Sequence, residues 1–160
     1  MATRHQHHLS PGQERATVLA LWPLLLELLQ PVMTHATIRT LQDCYTLDLL
    51  EAPQNTFEIC RQVHAREVAA RKTDRRSLVR RWLQPMALDL DPAAADDAAI
   101  LHVLGPYART EIFTSDDPMP VLASGDAVTD LTARLTDEEA QALSSTLQAA
   151  QLPATVLTGP

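Results

Sequence analysis

Eight basic residues crowd between positions 61 and 81: Arg61, Arg66, Arg71, Lys72, Arg75, Arg76, Arg80 and Arg81, opposed only by Glu67 and Asp74. The stretch carries +6 in a chain of net −7, which leaves −13 for the remainder. Guanidinium forks pair in bidentate fashion with carboxylate or phosphate. An arginine turned inward must meet a carboxylate or a ligand. The island therefore reads as a small-anion pocket around Arg66 and Arg81, or as a docking surface for an acidic protein partner. A dedicated nucleic-acid domain would be basic overall, and this chain is acidic.

Cys44 and His64 would face each other across a hairpin centred near Gln54, an arrangement able to activate a thiolate, although a cysteine beside a strand is more often a small buried hydrophobe. No third orienting group accompanies them, so no catalytic residue is assigned. His5, His7 and His8 lie in a segment that reads as a solvated tail, and neither HExxH nor CxxC spacing occurs, so no metal site is expected. The four glycines, Gly12, Gly105, Gly125 and Gly159, are too scattered for a GxGxxG or Walker loop, and no nucleotide cofactor is expected. Asp96-Asp97 and Asp116-Asp117 occupy a helix start and a turn, where aspartate is favoured for capping alone.

The elements that must position these groups follow from patterning. With 160 residues, 46 % hydrophobic and 21 % charged, the composition suits one globular domain. Ser10-Pro11-Gly12-Gln13 reads as a capping box opening a helix whose Leu19, Trp22, Leu25, Leu26 and Leu29 form the core face, with a kink or restart at Pro23. Alternation predicts strands over Tyr45–Glu51 and Phe57–His64, joined as a hairpin through 52–56. Glu67–Arg71 and Leu78–Leu83 could extend the sheet, or Val68, Arg71, Arg75, Leu78 and Trp82 could mark one basic helix. Asp91-Pro92 opens a helix over Pro92–Leu104, stopped by Gly105-Pro106. Thr110–Thr114 and Val121–Ala123 read as short strands, residues 126–150 as helices, and Thr136-Asp137-Glu138-Glu139 as a capping box. The order implies an α+β domain with an antiparallel sheet covered by helices, a mostly α-helical fold being the alternative. The expected division is a flexible N-terminus over 1–10, the domain over 11–152 and a tail over 153–160.

Val18–Leu29 is too short and too interrupted to span a bilayer, and no export signal is visible. With only 2 cysteines, a reducing cytoplasm is the expected home.

Several short segments resemble, in the same order, the chorismate pyruvate-lyase family. They are Leu24-Leu25-Leu26-Glu27 with Val32-Met33-Thr34, His64-Ala65-Arg66-Glu67-Val68, Leu78-Val79-Arg80-Arg81-Trp82-Leu83-Gln84-Pro85, Leu104-Gly105, and Ile112-Phe113-Thr114-Ser115. The resemblance covers roughly residues 24–115. It implies a small cytoplasmic α+β enzyme of ubiquinone biosynthesis that splits chorismate into 4-hydroxybenzoate and pyruvate without a cofactor. It also implies an aromatic carboxylate as ligand, with Met33 packing near it, Arg66 holding its carboxylate and Ala108 near an aliphatic contact position. Arg81 is a candidate second anchor. The family's closing Thr-Glu-aromatic-Pro strand finds no counterpart here, and Glu111 has the right local setting at a different place in the order.

Overall fold

The computed structural model describes residues 3–39, 54–73, 87–115, 117–125 and 130–159. Seven strands form one sheet: β1 (His5–Leu9), β2 (His35–Arg39), β3 (Ala87–Leu90), β4 (Arg109–Thr114), β5 (Asp117–Ser124), β6 (Leu131–Leu135) and β7 (Leu157–Thr158). Their order is β3-β2-β4-β5-β6-β1-β7, and every neighbouring pair is antiparallel. Four helices accompany it: α1 (Arg15–Leu29), α2 (Gln54–Thr73), α3 (Ala95–Leu104) and α4 (Asp137–Ala149). The α+β fold with an antiparallel sheet is thus the architecture.

Strand alternation sorts the sheet into two faces. Ala36, Ile38, Leu88, Leu90, Ile112, Leu122, Leu131, Ala133 and Leu135 join residues of all four helices in one buried cluster. All four helices therefore pack on one face, and among the described residues no helix covers the other. Positions such as Arg39, Arg109, Glu111 and Thr132 alternate with the buried ones and lie on that open face.

Each helix follows from a local cause. In α1, Val18, Leu21, Trp22, Leu25, Leu26 and Leu29 are buried at helical spacing, and the helix runs through Pro23, whose side is exposed. It begins later than expected: Pro11 and Gly12 form a turn with Gly12 at φ +78°, and the Ser10 hydroxyl donates to the Thr155 carbonyl rather than capping α1. The α3 start also shifts. Asp91 accepts the backbone N–H of Ala93 through Oδ1 at 2.9 Å, so residues 91–94 form a turn and the helix opens at Ala95. For α4 the expected capping box is present. The Glu139 N–H donates to Thr136 Oγ1 at 3.2 Å, and the Thr136 N–H donates to Glu139 Oε2 at 2.9 Å.

Four expectations are corrected. Phe57–His64 is not a strand but part of α2, and of the two readings open for Glu67–Arg71 the helical one holds, since α2 runs on to Thr73. The apparent alternation there was brief, whereas Thr56, Cys60, Val63 and Glu67 are buried at spacings of four, three and four, a helical stripe. The 126–150 region is not wholly helical, since Leu131, Ala133 and Leu135 alternate with Thr132 and Arg134 as β6. Residues 5–9 are no loose tail: β1 pairs with β6 along His5–His8 and with β7 at His8–Leu9, so its backbone groups find partners in the sheet. The end of the chain is likewise built in, with Val156 buried and Leu157–Thr158 paired to β1. Tyr45–Glu51 and Leu78–Leu83, with Cys44 and Arg81, lie outside the described residues. Among the described residues no helix is long and apolar enough to cross a membrane.

Candidate functional site

Between α1 and α3 a cleft of about 320 Å³ remains. Its apolar wall comes from Pro23, Leu26, Met33, Pro92, Ala98 and Leu101, and its polar groups are Glu27, Gln30 and His102. Met33 reaches this position because the chain turns after α1, where the Val32 and Met33 N–H groups both donate to the Leu29 carbonyl. The opposite wall is held by Trp22, whose buried Nε1 donates to the Leu101 carbonyl at 2.9 Å and so ties α1 to α3. The volume is at the small end for ligand sites, the size of a single-ring molecule.

The four residues singled out from the sequence do not converge. Met33 lines the cleft. Arg66 lies on α2 and its Nη1 donates to Asp97 Oδ1 at 2.6 Å, with 40 % of the Arg66 side chain exposed. Asp97 lies one residue before Ala98 of the cleft wall, so Arg66 reaches the back of that wall rather than the cleft. Ala108 is buried under the sheet, where its carbonyl accepts from Ser124 Oγ at 2.8 Å and Thr110 Oγ1 at 3.3 Å. Those hydroxyls also satisfy the Gly105 carbonyl, which explains two buried polar side chains as support for the turn after α3. Arg81 lies outside the described residues.

Electrostatics separate the remaining candidates. Burial pushes the Asp97 carboxyl upward, but hydrogen bonds from Arg66 and the Asp91 N–H and the Arg66 charge outweigh it, leaving the group below the usual carboxylate range. Burial, followed by the charges of His5 and His8, holds His7 below the ordinary imidazole value. His64 is exposed on α2, and Cys60 is a buried free thiol. Among the described residues no three His, Cys, Asp or Glu side chains gather in a way that could hold a metal ion.

Glu27, Gln30 and His102 were not singled out as a group by sequence reasoning. Glu27 and Gln30 stand three apart on α1, so a shared helix face was legible, but His102 joins them only through the packing of α3. No family model, curated protein or solved structure matches the chain.

Proposed function

We propose that the protein binds a small aromatic carboxylate in the cleft between α1 and α3. The observation that carries this reading is the position of Met33 on an apolar wall that ends in polar groups of both kinds, the donors of Gln30 and His102 and the acceptor of Glu27. An aromatic ring packs on Met33 and Leu101, the imidazole and amide take its carboxylate, and Glu27 accepts from a ring hydroxyl. Arg66 serves as a positioning residue, since it holds Asp97 and through it the first turn of α3.

The likeness to chorismate pyruvate-lyases extends the reading to turnover. Chorismate loses its ring C4 proton, the C3–O bond breaks, the enolpyruvyl carbon gains a proton, and 4-hydroxybenzoate and pyruvate leave. The step gains aromaticity and needs no external oxidant or reductant, so a closed, orienting pocket supplies most of what is required.

Calorimetric titration with 4-hydroxybenzoate tests binding. Saturation is expected, with affinity lowered about tenfold by Met33→Ala or His102→Ala, the scale of one buried side chain or one hydrogen bond. Absence of saturation, or equal affinity in both variants, overturns the cleft as the site. Release of 4-hydroxybenzoate from chorismate, followed by absorbance, tests the extension to catalysis.

A second reading rests on the exposure of α2. The Arg61 side chain is 78 % exposed and Lys72 is exposed, which suits docking of an acidic protein partner. Salt-sensitive binding of a glutamate-rich peptide, lost in Arg61→Glu with Lys72→Glu, is its expected signature.

A further inference from the structure

The register of the sheet sets two arginines directly against each other on the open face: Arg39 of β2 is the cross-strand partner of Arg109 of β4. Like charges directly opposite on neighbouring antiparallel strands destabilise the pair. Arg39 is half-buried and makes no ion pair among the described residues, while the Arg109 side chain is 52 % exposed and reaches Glu111 only at 3.9 Å. Beside Arg109 the face sinks into a cavity of about 290 Å³, lined by Glu111, Ser124, Gly125, Asp130 and Thr132 as well as Arg109.

Gly125 is what keeps that cavity open and shaped. Its N–H donates to the Asp130 carbonyl at 2.7 Å. A Cβ at Gly125 would fall 1.9 Å from Asp130 Oδ2, so the Asp130 carboxylate lies directly over the glycine, at the cavity's edge. The cavity therefore combines one guanidinium, that of Arg109, with two carboxylates, Glu111 and Asp130, while Arg39 stands beside Arg109 on the neighbouring strand, outside the lining. Asp89 of β3 stands opposite Thr37, diagonal to Arg39, and adds a third carboxylate on the far flank.

A simple oxyanion would satisfy Arg109 but would be repelled by Glu111 and Asp130, and a simple cation would meet the reverse difficulty. The geometry points to a dipolar ligand at this cavity, a free α-amino acid whose carboxylate meets Arg109 and whose ammonium group lies between Glu111 and Asp130. A carboxylate on Arg109 also offsets the charge that Arg39 meets across the strands, so binding stabilises the fold. The site is on the opposite side of the sheet from the α1–α3 cleft and is independent of it.

The test is isothermal titration and thermal shift on the full chain with the common L-amino acids as individual probes. Propionate and n-propylamine serve as singly charged controls for L-alanine. Saturable binding of at least one amino acid is expected, with a rise in melting temperature. Its affinity should fall at least tenfold in Arg109→Gln and in Glu111→Gln, and the control matching its charged groups one at a time should bind at least tenfold more weakly. Circular dichroism and the melting temperature without ligand report whether each variant is folded, and Thr132→Val provides a cavity substitution that keeps all the charges. Failure of every amino acid to saturate at 10 mM (about a 3 kcal/mol binding limit) overturns the proposal. Undiminished binding in folded Arg109→Gln overturns it equally, as does equal binding of the singly charged controls.

Discussion

The Arg66 guanidinium on α2 and the Asp97 carboxylate at the first turn of α3 meet at 2.6 Å, and the second oxygen of Asp97 accepts the Asp91 N–H at 2.8 Å. One carboxylate thus fastens a helix to its neighbour and closes the turn that precedes it. Its position in the first turn also suits the positive end of the α3 dipole.

Because the folded carboxyl of Asp97 is held below its unfolded value, the stabilisation is present above the unfolded carboxylate range and is lost as pH falls through the folded value. Asp97→Asn is expected to cost about 1 kcal/mol at pH 7, a figure kept small because Arg66 is partly solvated. Urea unfolding of both proteins between pH 7 and pH 3 (roughly the span over which a carboxylate titrates) should show the difference shrinking as acid is added. A difference that stays constant over that span would sink the assignment.

Gly105 lies against the indole of Trp22, and a Cβ there would come 2.2 Å from Trp22 Cζ2. Both residues are buried and the indole is anchored to Leu101, so neither can move freely. Gly105→Ala is expected to destabilise the fold by about 1–3 kcal/mol through overpacking. Gly12→Ala should cost about 1 kcal/mol for a different reason, since its surroundings are open and only its φ of +78° is unfavourable to a side chain. Chemical unfolding of the two variants separates the mechanisms: enlarging the side chain further to leucine, which is not branched at Cβ, should worsen the first much more than the second.

Arg4 makes two hydrogen bonds to Glu139, at 2.6 and 3.0 Å, and Glu139 is also the reciprocal partner in the α4 capping box. Both side chains are largely shielded, at 11 % and 16 % exposure. Glu139→Ala should therefore cost about 2 kcal/mol, combining a lost cap with a shielded guanidinium left only its bond to the Arg134 carbonyl. A double-mutant cycle with Arg4→Ala measured by denaturant unfolding should return a coupling of about 1 kcal/mol. Zero coupling would mean that the N-terminal strand and α4 are stabilised independently.

Burial pushes the Cys60 thiol up to about 11, against a smaller opposing effect of its backbone hydrogen bond. The reactive thiolate is correspondingly scarce at neutral pH. Iodoacetamide labelling followed by peptide mapping should modify Cys60 at least about a hundredfold more slowly in the native protein than in urea, in keeping with a pKa raised by about two units and restricted access. Labelling at the unfolded rate would contradict its burial.

Local rules made a good part of this fold legible. The Thr136 to Glu139 capping box, the leucine face of α1 and the alternation of β4 each depend on residues close in sequence, and each is present. The α2 segment was misread because a half-buried helix with few apolar residues can imitate alternation over three or four positions. Of the cleft residues, Met33 is the one the resemblance had named, and it lines the cleft, whereas Glu27, Gln30 and His102 come together only by helix packing.

By itself the sequence determined an antiparallel α+β architecture and a basic segment in an acidic chain. Tertiary structure decided which charges are already spoken for and which are not. Asp97 lies 31 positions from Arg66 and neutralises it, while sheet register brings Arg39 against Arg109 across 70 positions of chain. Periodicity tells a residue which face it occupies, but not who stands opposite. That depends on strand order and helix docking, which are set by burial of the shared core over the whole chain.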